Sequence, residues 1–163
     1  MEHPKDAAEQ TACYSGKKRT HTVKNLLLVD QLLTILLLTD TYPGSIHDKR
    51  IADSHPYPLP SGSCLLQDLG FLAFALEDVD CLTPFKKPKG GELTPVQKAF
   101  NRLLSTVRIR IEHVNSSVKR CRIVKDICRL RIIGAKDAVM EIACSLHNFR
   151  IALFPWQPLI KSE

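Results

Sequence analysis

Arg108, Glu112 and Lys119 set one carboxylate between two cations along a single helical stripe. At about 100° per residue the three fall within roughly 40° of one another. The apolar residues of the same stretch, Val96, Phe100, Leu103, Val107, Ile111, Val114, Val118 and Cys121, form a second stripe centred roughly 120° away. The charges therefore run beside the core face and not within it. On spacing alone they read as a solvated helix face with ordinary ion pairs. The surrounding charge adds to this. From position 101 to 131 nine cations (Arg102, Arg108, Arg110, Lys119, Arg120, Arg122, Lys125, Arg129 and Arg131) stand against two acids, Glu112 and Asp126, a larger excess than the formal +6 of the whole chain. The basicity is a patch, the footprint expected of phosphate-backbone binding, where counterion release supplies most of the affinity. A solubilising surface is the other reading.

The elements that must position these residues can be traced along the chain. Residues 22–29 and 32–39, rich in Leu, Val and Thr, predict two paired strands buried on both faces, joined as a hairpin by Asp30-Gln31. Pro43-Gly44-Ser45 is a turn, and a helix follows from about Asp48, a residue suited to capping it. Pro56, Pro58 and Pro60 with Ser61-Gly62-Ser63 mark a loop. Residues 64–67 read as a short buried strand that delivers Asp68 at its carboxyl end, with Gly70 permitting a sharp exit. Residues 85–92, carrying Lys86, Lys87 and Lys89, form a mobile basic loop. Thr94-Pro95-Val96-Gln97 opens the long helix with a capping box and a proline at its first position, and the helix runs to about Arg120. A last helix from about Lys136 to Leu153 carries Val139, Ile142, Leu146, Phe149 and Leu153 on one face, and Pro155 ends it.

At 163 residues, 44% hydrophobic and 25% charged, one core is expected. The expected layout is a single domain: a polar segment at 1–13, a core at 14–154 and a tail at 155–163. The apolar runs fall far short of the roughly 20 residues that span a bilayer, so no membrane is expected and the chain reads as soluble, unexported and cytoplasmic. The six cysteines are scattered without a C-x-x-C pair, which points to reduced thiols and away from a zinc module or a disulfide framework.

The spacing Arg, three residues, Glu, six residues, Lys is similar to the closing motif of DDE transposases of the bacterial insertion-sequence type. The chain also carries Tyr14-Ser15-Gly16-Lys17-Lys18-Arg19-Thr20-His21-Thr22-Val23-Lys24, then Tyr42-Pro43-Gly44-Ser45-Ile46-His47-Asp48-Lys49-Arg50, then Asp68-Leu69-Gly70-Phe71, and Leu146-His147-Asn148-Phe149-Arg150. In that order these look like successive blocks of the Harbinger-related branch, covering about nine-tenths of the chain. The resemblance implies an α/β, RNase H-like catalytic core in which three acids hold two divalent ions, Mg2+ or Mn2+, for in-line attack on a phosphodiester of DNA. By position, Asp68 and Glu112 match the second and third acids as metal ligands. Asp48 is the rival for the second. Arg108 and Lys119 match residues that hold substrate phosphates, with Arg120, Arg122, Lys17 and Lys18 as further DNA contacts.

Two departures stand out. Ser105 occupies the place of a usual Tyr, three residues before Arg108. His3-Pro4-Lys5-Asp6 aligns with an Arg-Pro-Lys-Asp block just downstream of the family's first strand, so the first catalytic Asp is expected to precede Met1. The chain thus reads as an N-terminally truncated transposase core lacking its first strand, inactive alone unless the absent part of the transposase or a second copy supplies the acid. The alternative is a non-catalytic DNA-binding or protein-interaction module derived from one, and a remnant without stable function is the third reading.

Overall fold

The computed structural model describes residues 7–15, 19–125, 132 and 134–156. Their contacts gather into two units, one made by residues up to 46 and from 111 onward, the other by residues 47–110. Both helices and strands are present, a mixed α/β chain as expected.

In the first unit, helix α1 (Ala7–Cys13) leads into β1 (Tyr14–Ser15), which pairs antiparallel with β2 (Thr20–His21). Strand β3 (Val23–Lys24) pairs antiparallel with β6 (Tyr42–Pro43). Gly44 closes that pair. Its amide donates to Thr22 O at 2.8 Å, and an added Cβ would lie 2.7 Å from the same oxygen, so only glycine allows the approach.

Between them lies the hairpin of β4 (Leu27–Val29) and β5 (Ile35–Leu38), with Leu27 opposite Leu38 and Leu28 opposite Leu37. Its turn is longer than the two residues expected. The Asp30 amide donates to Thr34 O at 3.0 Å, leaving Gln31-Leu32-Leu33 as a three-residue loop. The Asp30 carboxylate accepts from the amides of Leu32 at 2.9 Å and Thr34 at 2.8 Å. Leu33 takes a left-handed φ of 70°, as the last position of such a loop requires. A leucine is kept there because it is 2% exposed: burying it is worth about 1.5–3 kcal/mol, which outweighs a backbone cost of about 1–2 kcal/mol. Burial on both faces does not hold, since Leu36 is 51% exposed.

Helix α3 (Pro95–Val118) opens with the expected capping box: the Gln97 carboxamide oxygen accepts from the Thr94 amide at 2.9 Å, and the Thr94 hydroxyl from the Gln97 amide at 3.3 Å. The helix carries Val114 and Val118 into the first unit, where they meet Leu33 and Ile35 from the hairpin and Ala143 and Cys144 from α5 (Ala135–Leu153). The short α4 (Arg122–Lys125) lies between.

The buried face of α5 is not the one its periodicity suggested. Ile142, Leu146, Phe149 and Leu153 are exposed, while Ala143, Cys144, His147 and Ile151 are buried. The reason is polar. Asp137 accepts from the Thr41 amide at 2.7 Å, and the Nε2 of His147 donates to Leu33 O at 2.8 Å. Asn148 both accepts from the amide of Ile35 and donates to its carbonyl, each at 2.9 Å. Asn148 thereby takes the place of a neighbouring strand at the β5 edge. A backbone donor and acceptor beside a core need such partners, and small Ala143 and Cys144 let the helix come close enough to supply them.

In the second unit, α2 (Asp48–Asp53) precedes β7 (Ser63–Leu66), which pairs in parallel with β8 (Val79–Leu82). The expected fully buried strand is half-buried instead: Cys64 and Leu66 are exposed and their neighbours partly covered, the period-two pattern of a sheet with one covered face. Ile51, Ala52, Phe74 and Leu104 are buried in this unit. The basic loop at 85–92 is anchored at its start, where Asn101 bonds both the amide and the carbonyl of Phe85 at 2.8 and 2.9 Å. No helix among the described residues is long and apolar enough to cross a membrane.

Candidate functional site

Asp68 stands two residues beyond β7. The segment is tied down at Gln67, whose amide donates to Leu82 O at 2.9 Å and whose side chain donates to Phe74 O and the Thr83 hydroxyl at 3.2 and 3.1 Å. Asp68 then caps a 3-10 turn (Leu69–Phe71), its Oδ1 accepting from the Leu69 amide at 2.8 Å. Nη1 of Arg108 lies 3.4 Å from that same oxygen, with side chains 58% and 49% exposed. An exposed pair of this length contributes at most about 1 kcal/mol. Its meaning lies in what it brings together, a cation of the Arg-Glu-Lys stretch and the acid of the Asp-Leu-Gly-Phe block.

Asp48 is the first residue of α2, not its cap. His47 holds the cap position with extended backbone and makes no side-chain cap bond. The Asp48 carboxylate packs on the Asp68 turn, since a Cβ built on Gly70 would lie 3.0 Å from Asp48 Oδ2. Both acids weighed for the second ligand thus meet at one turn within one unit. Glu112 and Arg108 are exposed on α3, and Lys119 is exposed in the turn just past its end at Val118, so the charges lie beside the core. Beside Glu112, the ring of His113 packs against Trp156, centroids 5.3 Å apart, which fits a structural role for that histidine. Among the described residues, no three His, Cys, Asp or Glu side chains stand close enough to hold a metal by themselves.

Of the basic run, Arg102, Arg108, Lys119, Arg120, Arg122 and Lys125 are exposed. Arg110 is 9% exposed and so leaves the patch. It lies about 40° around the helix from buried Val114, at the edge of the apolar stripe. In the first unit, Lys119, Arg120, Arg122 and Lys125 cluster where α3 gives way to α4 through a turn closed by Arg120 N to Ser117 O at 3.1 Å. Lys17, Lys18, Arg129 and Arg131 lie outside the described residues.

Among the described residues, two groups have displaced proton affinities. Burial raises the Cys144 thiol above its ordinary value, and burial with the nearby Asp53 charge raises the Tyr57 hydroxyl. The role of Asp137, His147 and Asn148 in holding the hairpin edge was not read from the sequence, although the Leu-His-Asn-Phe block had marked two of them. A cleft of about 290 Å³ lined by Ile35, Leu36, Leu37, Leu38, Glu141, Cys144, Ser145 and Asn148 runs beside that edge.

The turn after β7 thus sets the Asp68 carboxylate against Arg108 of α3. The chain belongs to the DDE superfamily endonuclease family, whose pattern it follows across residues 1–148. Among curated proteins it is similar to the probable transposase for insertion sequence element IS702 of Microchaete diplosiphon, 30% identical over 155 residues. That match covers 94% of this chain and 54% of the relative, so the chain spans about half the relative's length. No solved structure matches.

Proposed function

We propose that these residues form part of the catalytic core of a DDE transposase with an RNase H-like fold, a metal-dependent DNA-cleaving and strand-transferring enzyme when all three acids are assembled. The observation that carries this reading is Arg108 against Asp68, 3.4 Å apart, a contact between two blocks 40 residues apart in sequence that the family resemblance assigns to one site. The donor chemistry suits Mg2+ or Mn2+: Asp68 and Glu112 offer hard carboxylate oxygens, and both are solvent-accessible. When bound, such ions activate the attacking oxygen and stabilise the leaving one. Asp68 and Glu112 contribute ligands. Arg108 orients the Asp68 carboxylate and meets a substrate phosphate, while Lys119, Arg120 and Arg122 bind the DNA backbone.

Asp68 and Glu112 would supply two of the three acids that the resemblance calls for, and without the third the ions would not be held for the reaction, in which misplacement of a reacting group costs orders of magnitude in rate. The 163 residues alone are therefore expected not to nick supercoiled plasmid in Mg2+ or Mn2+, and to do so once a polypeptide supplying a strand-borne first acid is joined to them. Nicking by the 163 residues alone that disappears in Glu112→Ala would show that an acid within them completes the site, Asp48 being the first to test.

A further inference from the structure

The block Tyr42-Pro43-Gly44-Ser45-Ile46-His47-Asp48 is among the most recognisable in the chain, yet the proposed function leaves Asp48 without a task. Within the second unit its surroundings define one. Helix α2 is firmly seated, with Ile51 and Ala52 each 1% exposed, and it packs against the 3-10 turn Leu69–Phe71. A methyl group placed on Gly70 of that turn would lie 3.0 Å from Oδ2 of Asp48, 3.8 Å from its Cβ and 3.9 Å from its Cγ. Gly70 does not adopt a left-handed backbone, so its missing side chain serves close approach and not conformational freedom. It is a niche, and the Asp48 side chain fills it.

The same turn is capped by Asp68 through the Leu69 amide at 2.8 Å. That bond fixes the direction of the Asp68 carboxylate, so whatever steadies the turn steadies the ligand, as partners behind a metal ligand generally do. We propose that Asp48 is a positioning residue: by filling the Gly70 niche it holds the 3-10 turn and, through the Leu69 amide, keeps the Asp68 carboxylate aimed for a divalent ion. This inference rests on the reading of Asp68 as a metal ligand. A positioning role needs the shape and the oxygen of the side chain, whereas direct ligation needs its charge. The two demands separate at Asp48→Asn.

The test measures Mn2+ affinity, from the spin-resonance signal of the free ion, together with hydrogen exchange at the Leu69 amide. Asp48→Asn is expected to stay within about twofold of the parent in both. Asp48→Ala and Gly70→Ala are each expected to weaken Mn2+ binding by about tenfold and to speed Leu69 exchange with α2 still folded by circular dichroism. Because the two residues share one contact, the double variant Asp48→Ala/Gly70→Ala is expected to be no worse than either single. Asp48→Asn as damaging as Asp48→Ala would make Asp48 a ligand and overturn the proposal, as would unchanged Leu69 exchange in Asp48→Ala. If Asp68→Ala leaves Mn2+ binding intact, the metal reading itself fails, and the Leu69 measurement alone then decides whether Asp48 holds the turn.

Discussion

Replacing Asn148 with alanine removes both side-chain bonds that close the outer edge of β5, the one accepted from Ile35 N–H and the one donated to Ile35 C=O, each 2.9 Å. Ile35 is 8% exposed, so its amide and carbonyl lose their partners beside the core. A buried group left without a partner costs about 1–3 kcal/mol, which for two groups sets a range of about 2–6 kcal/mol. The cleft of about 290 Å³ that adjoins Ile35 and Asn148 can admit water to the freed groups, which selects the lower part of that range. The expected loss is about 2–3 kcal/mol, or a fall in melting temperature of roughly 4–12 °C for a chain of this size. Asn148→Asp is expected to be no better, since it keeps the acceptor for Ile35 N–H but sets a second oxygen against the carbonyl. The assay is urea unfolding with site-resolved hydrogen exchange. An Asn148→Ala protein within about 0.5 kcal/mol of the parent, with the Ile35 amide still protected, would refute the strand-substitute role.

Two further outcomes are expected. Duplex DNA affinity should be sequence-independent and steeply salt-dependent, and charge reversal at Lys119, Arg120 and Arg122 should flatten the log–log salt slope by about 0.9 for each phosphate no longer neutralised; a slope unchanged by the reversals would discard the α3 to α4 cluster as the interface. Cys144 and Tyr57 hold their protons more tightly folded than unfolded, so the stability they contribute is complete below about pH 8.5 and declines above it as the unfolded groups ionise. Unfolding free energy that is flat from pH 8 to 11 would contradict that burial.

What was legible in the sequence and what was not divide along a physical line. The capping box at Thr94 and Gln97 and the extent of α5 rest on interactions within a few residues, and both were readable. The face of α5 was not. It carries two apolar stripes, and the larger side chains of Ile142, Leu146, Phe149 and Leu153 outweigh Ala143, Cys144 and Ile151 on any periodicity argument. The choice between the stripes is made by partners more than 100 residues away, His147 on Leu33 and Asn148 on Ile35. Leu33 is a similar case. Nothing local marks a leucine for a left-handed backbone, and only its place in the core explains it. Arg110 is different, because its angle beside Val114 follows from the helix period, and its charge alone suggested a place in the patch. At the site, Asp68 at the end of a strand followed local turn chemistry, whereas the packing of Asp48 on Gly70 is a tertiary contact that no spacing rule anticipates.

Mn2+ binding to the 163-residue chain and to Asp68→Ala, Glu112→Ala and the double variant tests the central claim most directly. The account predicts weak binding by the parent, loss in each single variant because each removes one of the two carboxylates proposed as ligands, and no further loss in the double. Binding by the folded double variant equal to that of the parent would contradict the assignment of Asp68 and Glu112 as the ligands.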